Sequence, residues 1–348
     1  MTEPARYQLR VREIVRETED ACSVVFDLPA GAEDEFVYRP GQFLTLQLPG
    51  ADGPVARCYS LCSSPHVDEG LLKVAVKRVR DGIGSNWIND HLAPGQTVEC
   101  LVPAGVFTPK SLDEDLLLFA GGSGITPIMS ILKSALHAGT GKVVLVYANQ
   151  HEDAVIFAAE LRALAERYPE RLHVIHWLES LQGLPTRAQL KAFAAPFTSY
   201  SSFVCGPSPF MESVSHSLRE LGVPPARIHV ERFQSLAENP FSMANAVAAV
   251  PVGDADGRSA SLQVELDGET HTFEWPAQTK LLDFLLDRGL KAPFSCRQGA
   301  CSACACIVSE GEVTMLHNEI LEQDDLDEGF VLACQSLPVS DVVKIRYS

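Results

Sequence analysis

The sequence predicts three modules in a row: an all-β barrel or sandwich, an α/β domain with a parallel sheet, and a small third module of strands, one helix and clustered cysteines. Three observations carry this. The chain has 348 residues, enough for two or three domains of ordinary size. Its hydrophobic period changes along the chain, from short β-rich runs to alternating strand and helix patterns. Its 10 cysteines are uneven, and Cys296, Cys301, Cys304, Cys306 and Cys334 all lie in the last 53 residues.

Residues 1–108 form the first zone. Alternating or β-rich runs at 42–48 and 71–77 are separated by the turn pairs Pro40-Gly41, Pro49-Gly50 and Pro94-Gly95. Such punctuation marks short antiparallel strands. One short helix is expected over 85–92. Residues 109–235 switch to a βαβ rhythm: strands at 116–120, 143–147, 172–176 and 203–205 alternate with helices at 127–138, 154–168, 187–193 and 209–221. That rhythm implies a parallel sheet covered by helices. Residues 236–258 show neither pattern and read as a linker. In 259–348, strand-like runs at 261–266 and 271–275 flank Asp267-Gly268, a hairpin signal. A helix is expected over 280–288, ahead of the cysteines.

Composition narrows the function. Hydrophobic residues make up 46% and charged residues 21%, which excludes a disordered or collagen-like chain. Asp and Glu number 45 against 28 Lys and Arg, a net charge of −17. Nucleic-acid or anionic-membrane binding wants the opposite sign, so neither is expected. No apolar run approaches the ~20 residues of a membrane span. The opening residues lack the basic-then-apolar pattern of a secretory signal. A cytoplasmic protein with reduced thiols is therefore expected.

Cys296, Cys301 and Cys304 stand in the spacing C-x4-C-x2-C, with Cys334 downstream. This is the plant-type [2Fe–2S] pattern, in which four thiolates hold two irons. Iron bridged by sulfide wants soft anionic ligands. Gly299, Ala300, Ser302 and Ala303 are small enough for backbone N–H groups to approach cluster sulfurs. Structural zinc is the alternative. It prefers paired C-x2-C units, and only one such unit is present. Cys306 reads as a small buried hydrophobe on a strand.

Residues 259–348 resemble a plant-type ferredoxin domain, which implies a β-grasp α+β fold. This stretch holds 15 acidic and 6 basic residues, a net of −9. The acidic run Glu319–Glu328 is either a solvated surface or a docking face for a basic acceptor.

Further motifs lie upstream. Gly121-Gly122-Ser123-Gly124-Ile125-Thr126-Pro127 sits between a buried strand and a helix. Glycines there let N–H groups reach a phosphate at a helix N-terminus. Arg57, Tyr59, Ser60 and Ser63 form R-x-Y-S-x-x-S. Gly82, Gly84 and Ser85 precede or open the first helix, and Cys205-Gly206-Pro207 ends a strand. Together these resemble the ferredoxin–NADP reductase superfamily, which implies an antiparallel flavin-binding β-barrel followed by a pyridine-nucleotide α/β domain.

The resemblance implies roles. Arg57 would pair with the FAD pyrophosphate, as a guanidinium can do bidentately. Tyr59 would lie against the isoalloxazine ring, and Ser60 would hydrogen-bond near flavin N5. Gly82, Gly84 and Ser85 would face the pyrophosphate, and Val76 and Lys77 would touch flavin through backbone. Gly122, Gly124 and Thr126 would line the nucleotide. Cys205, with Gly206 and Pro207, would sit near the nicotinamide, where open α/β sheets bind ligands. Ser60 and Cys205 are thus the candidate catalytic residues, and Glu231 and Phe233 resemble the family's closing strand. A 2′-phosphate wants Arg or Lys after the second strand, but Gln150 is followed there by His151, Glu152 and Asp153. NADH is the expected donor. Arg187 keeps NADPH open.

A nicotinamide delivers two electrons together and a [2Fe–2S] cluster takes one at a time, so a flavin must lie between them. This order resembles reductase components of multicomponent oxygenases, above all those of 3-ketosteroid 9α-hydroxylase and less closely that of phenylacetyl-CoA epoxidase. The implied partner is a terminal oxygenase, met transiently through the acidic ferredoxin domain. A stand-alone NADH diaphorase and an iron–sulfur redox sensor are the alternatives.

Overall fold

The computed structural model describes residues 6–68, 70–236, 239–241, 258–266, 268–321 and 323–347. Two compact units emerge, one of Arg6–Pro103 with Phe107–Phe233, the other built on Gln234–Ser348.

The first unit opens with six antiparallel strands: β1 (Tyr7–Thr18), β2 (Ala21–Asp27), β3 (Phe43–Leu48), β4 (Val55–Ser60), β5 (Leu71–Lys77) and β6 (Thr97–Cys100). Their order is β4-β3-β6-β1-β2-β5. An antiparallel bridge between Leu61 and Val74 joins the two ends of that order and closes a barrel. Closure removes the unpaired edges that an open sheet would expose. Leu9, Val24, Phe26, Leu44, Leu46 and Val74 fill the interior. Helix α1 (Ile83–His91) begins two residues earlier than expected.

The second half of this unit holds β7 (Leu116–Gly121), α2 (Ile125–Ala138), β8 (Val143–Asn149), α3 (Ala158–Arg167), β9 (Leu172–Leu178), α4 (Glu179–Gln182), α5 (Arg187–Ala194), β10 (Ser201–Cys205), α6 (Ser208–Glu220) and β11 (Ile228–Glu231). The sheet is parallel in the order β11-β10-β7-β8-β9. Alternate residues supply opposite faces. Leu116, Leu118 and Ala120 join one core with Ile128 and Leu132 of α2. Leu117 and Phe119 join another with Val214 and Leu218 of α6. The helix expected over 154–168 is shorter. A 3-10 turn covers Glu152–Ala154, and α3 starts only at Ala158. The reason is Phe157, whose φ of 62° breaks the helix while its ring is buried.

Charged and polar side chains join these halves. Lys133 of α2, only 6% exposed, meets Asp68 at 2.5 Å and Glu160 at 3.0 Å. Lys73 of the barrel meets Glu160 at 3.5 Å and Glu17 at 3.4 Å. Burial alone would lower the Lys133 ammonium, but Glu160 and Asp68 hold it above its ordinary range. The Ser130 hydroxyl donates to the Ser63 carbonyl at 2.6 Å, and the Ser64 and Ser134 hydroxyls share a bond of 2.8 Å. Removing one partner of a buried ion pair strands the others. Lys133→Met is therefore expected to lower the stability of this unit by about 3 kcal/mol, read from its urea midpoint. An unchanged midpoint would show that water sustains Asp68 and Glu160.

The second unit contains β12 (Ser259–Leu266), β13 (Glu269–Pro276), α7 (Leu281–Asp287), β14 (Ala305–Glu310), β15 (Val313–Met315), α8 (Gln323–Asp327), β16 (Phe330–Leu332), β17 (Ser336–Pro338) and β18 (Val342–Arg346). Its main sheet runs β13-β12-β18-β14-β16. Only the central β12–β18 pair is parallel. A first hairpin, a helix and a last strand laid parallel beside the first make the β-grasp arrangement. Trp275, Leu281, Leu282, Leu285, Cys306 and Val343 fill its core. Gly268 takes the left-handed turn with φ +78°. Asp267 and most of the expected linker, 237–238 and 242–257, lie outside the described residues.

Candidate functional site

Three groups of expected residues come together, each at a place the fold dictates. The first is on the barrel. Arg57, Tyr59 and Ser60 lie on β4, where Ser60 pairs with Phe43 and is buried. Helix α1 starts beside them. A Cβ on Gly84 would meet Arg57 Cγ at 2.9 Å and the Tyr59 hydroxyl at 3.1 Å. Gly82 is the N-cap of α1 and supplies no side-chain cap, so the orphan N–H groups of the first turn are left without a side-chain acceptor at the cap. Ser85 is buried, and its hydroxyl oxygen accepts from the Val79 N–H at 3.1 Å. Burial pushes the Tyr59 phenol up, against the lowering effect of Arg57. A guanidinium, an uncapped helix start and an aromatic ring suit a flavin dinucleotide. Val76 and Lys77 are committed to the ladder with β2. The Val76 carbonyl accepts from the Asn89 amide at 3.1 Å, and Lys77 pairs with Asp20 at 3.4 Å.

The second group sits where the strand order reverses. From β7 the chain moves outward through β8 and β9, then returns to place β10 on the other side of β7. Such a switch point leaves a crevice at the carboxyl ends of the strands. There the turn after β7 and the turn after β10 touch through backbone. A Cβ on Gly124 would lie 2.2 Å from the Cys205 carbonyl oxygen, and one on Gly206 would lie 3.0 Å from Gly121. Gly122 has open space beside it. Thr126 is buried and donates to the Ser123 carbonyl at 3.1 Å. Pro207 precedes α6. Cys205 is buried, its thiol raised well above the ordinary range by burial and by Glu231, its register partner on β11. It belongs to the apolar cluster that also takes in Ala21, Cys62 and Ala75 of the barrel, so it lies on the barrel side of the sheet. Phe233, just beyond β11, is 51% exposed. Gln150, Glu152, Asp153 and Arg187 are all exposed.

The third group is in the other unit. Cys296, Cys301, Cys304 and Cys334 are all buried. The Cys296 N–H donates to Cys301 Sγ at 3.4 Å, and the Cys334 N–H to Cys304 Sγ at 3.5 Å. Cys296 is also within side-chain reach of Cys334. The Cys296 thiol is held well below its ordinary range, first by Cys301, whereas Cys334 is pushed up, first by Cys296. Among the described residues, no three Cys, His, Asp or Glu side chains are placed to hold a single metal ion. The four thiols instead form one connected group, Cys296 reaching both Cys301 and Cys334, and Cys334 reaching Cys304, which suits a cluster of more than one metal held by four thiolates. The Ser302 hydroxyl, buried between two of these cysteines, has no hydrogen-bond partner among the described residues, which fits a site lined with acceptor sulfurs. Gly299 turns the loop with φ +81°, and a Cβ there would lie 2.7 Å from the His317 carbonyl oxygen.

Sequence reasoning missed residues that shape these sites from outside their motifs. The buried Tyr147 phenol donates to the Gly122 carbonyl at 3.1 Å and anchors the glycine-rich turn. A lone phenol ending an aliphatic strand was its signal. The last serine of R-x-Y-S-x-x-S, Ser63, accepts from the Tyr38 phenol at 2.8 Å and binds α2 through its carbonyl. Its place in the motif is thus explained by packing between the barrel and α2.

Comparison with known proteins adds three family matches. An oxidoreductase FAD-binding domain matches residues 8–108, an oxidoreductase NAD-binding domain 118–216, and a 2Fe-2S iron-sulfur cluster binding domain 264–339. The ferredoxin reductase component of 3-ketosteroid-9-alpha-monooxygenase from Rhodococcus rhodochrous is 55% identical over 97% of this chain and 96% of that protein. A subunit of the 1,2-phenylacetyl-CoA epoxidase from Escherichia coli is 32% identical over 97% of this chain and 96% of its own. The structure of phthalate dioxygenase reductase, described as a modular structure for electron transfer from pyridine nucleotides to [2Fe-2S], superposes with a TM-score of 0.58 at 22% identity. It covers 99% of this chain and 100% of that one. No helix of the described residues is long and apolar enough to cross a membrane.

Proposed function

The chain belongs to the family of ferredoxin reductase components of 3-ketosteroid-9-alpha-monooxygenase, and from that membership we propose that it carries electrons from NADH through FAD and a [2Fe–2S] cluster to a 3-ketosteroid 9α-hydroxylating oxygenase. The observation that carries this reading is 55% identity sustained over 97% of the chain, through all three cofactor-binding domains. When bound, the flavin takes the two electrons of a hydride and passes them on singly.

The chain's own residues bind, orient and exclude water. Arg57 and the first turn of α1 hold the flavin pyrophosphate, and Tyr59 covers the ring. Ser60 would offer its hydroxyl as a donor beside the flavin ring, where the bound flavin would supply hydride-accepting chemistry. The turns of Gly122, Gly124 and Thr126 and of Cys205, Gly206 and Pro207 seat the nicotinamide nucleotide. Cys205, buried at the end of β10, would lie beside the nicotinamide seat and help exclude water there. Cys296, Cys301, Cys304 and Cys334 hold the cluster. Substrate steroid binds on the oxygenase partner.

The test is reconstitution. With the oxygenase of a 3-ketosteroid 9α-hydroxylase, NADH oxidation should couple to steroid hydroxylation. Dye reduction without coupling to that oxygenase would leave a diaphorase, and no turnover with any acceptor would remove both reductase readings. NADH should be preferred over NADPH in kcat/KM by at least ~10-fold, because Glu152 and Asp153 after β8 repel a 2′-phosphate. A preference for NADPH would transfer the selection to Arg187. Docking is transient and runs through the acidic domain, whose net charge over 259–348 is −9. Raising salt from about 0.05 to about 0.5 M should therefore slow transfer to the oxygenase severalfold and leave dye reduction unchanged. A salt-independent rate would argue for an apolar docking face.

A further inference from the structure

We propose that Gln335 is a positioning residue for Cys334 and gives its thiolate a side-chain hydrogen bond that raises the reduction potential of the cluster bound there. The proposal rests on the cluster-binding reading above. Gln335 follows the one ligand that lies far from the others in sequence. Its side chain is 4% exposed. The amide nitrogen has two hydrogens and two acceptors: the Arg297 carbonyl at 2.9 Å and Cys334 Sγ at 3.6 Å. The backbone is pinned on both sides as well. Its N–H donates to the Leu332 carbonyl at 2.9 Å, and its carbonyl accepts from the Leu316 N–H at 2.9 Å.

Arg297 is itself held in place. Its φ is 59°, left-handed for a residue with a side chain. An ion pair with Asp283 of α7 and a guanidinium 5.4 Å from the Phe294 ring fix it there. Gln335 therefore joins the loop of the first ligand, Cys296, to the last ligand, Cys334, through a carbonyl whose backbone cannot drift. The Gly299 turn presses on the same side chain: a Cβ there would lie 3.2 Å from Gln335 Cγ. Position and donor direction are both set by the protein's own contacts. A reduced cluster carries one more negative charge than an oxidised one, so a donor on the thiolate stabilises the reduced form more and raises the potential.

The test is a redox titration of the full chain with iron content measured alongside. Gln335→Met keeps length and packing but removes the donor. It is expected to keep two irons and shift the electron partition about tenfold from cluster towards flavin, which is ~59 mV for a one-electron couple. Gln335→Glu sets a carboxylate against the thiolate and should shift it further the same way. An unchanged potential at full iron content in Gln335→Met would overturn the proposal. Should that variant lose iron, the wild type decides: with 15N in glutamine side-chain amides only, EPR of the reduced cluster should show a 15N coupling, which should survive Gln298→Met at the other glutamine of the cysteine loop, between Cys296 and Cys301. No such coupling would overturn the proposal. A wild type lacking two irons would instead overturn the cluster-binding reading beneath it.

Discussion

Cys334→Ser is expected to reduce cluster-dependent electron transfer by ~1000-fold or more while leaving NADH-to-dye reduction within about twofold of wild type. The large effect follows from ligand chemistry. A serine hydroxyl is a hard oxygen that ionises only with difficulty, a poor substitute for a thiolate on sulfide-bridged iron. The site gives it little help. Cys334 is buried, its N–H is committed to Cys304 Sγ and the next side chain to Cys334 itself. The small effect follows from architecture. The cysteines sit in a compact unit with its own core, and the barrel and parallel sheet form another. Substitutions in separate cores act independently. Stopped-flow reduction of the flavin by NADH, a dye assay and a cytochrome or oxygenase assay separate the two effects. Loss of dye reduction with flavin still bound would mean that electrons reach the dye through the cluster, and the proposed order would be wrong.

The cluster loop was readable because its chemistry is local. As proposed ligands, Cys296, Cys301 and Cys304 would wrap one small group, so their spacing would record the geometry directly. Much of the parallel sheet was readable for a related reason: strands buried on both faces are continuous apolar runs, as at 116–120 and 143–147. The failures were non-local. Nothing in the pattern of 154–168 shows that Phe157 leaves helical backbone in order to bury its ring. Ser63 belongs to a flavin motif by position, yet its partners are Tyr38 and Ser130, which only the folded chain brings near. Lys133 reads as an ordinary charge on an apolar helix until Asp68 and Glu160 arrive from two other elements. Gln335 had the same invisibility, because its acceptor at Arg297 lies 38 residues away. Spacing reveals who holds a cofactor, whereas packing reveals who holds the holders.

Gly124→Ala tests the other end of the electron path. Its Cβ would lie 2.2 Å from the Cys205 carbonyl oxygen, 2.4 Å from the Cys205 carbonyl carbon and 2.7 Å from the Gly206 nitrogen. These are backbone atoms, and no rotamer change relieves them. Relief requires β7 and β10 to separate at their carboxyl ends, where Ala120 and Cys205 are register partners. That movement falls on the switch point itself. A misplacement of about 1 Å can cost 100-fold in a reaction that depends on alignment. NADH-driven flavin reduction is therefore expected to fall at least ~100-fold, equivalent to ~2.7 kcal/mol in the barrier. FAD and iron content should hold, since both groups of residues lie elsewhere. Gly183→Ala, just past α4 and in neither of the two turns, is the control. Its φ of +69° strains an alanine, but nothing lies within 4 Å of the added carbon, so the cost should be about 1 kcal/mol of stability with activity kept. Chemical reduction by dithionite bypasses the nucleotide and should still load the cluster in both variants. If Gly124→Ala reduces its flavin at the wild-type rate, the nicotinamide binds away from the Gly124–Cys205 contact, and the seat assigned to Cys205 falls with it.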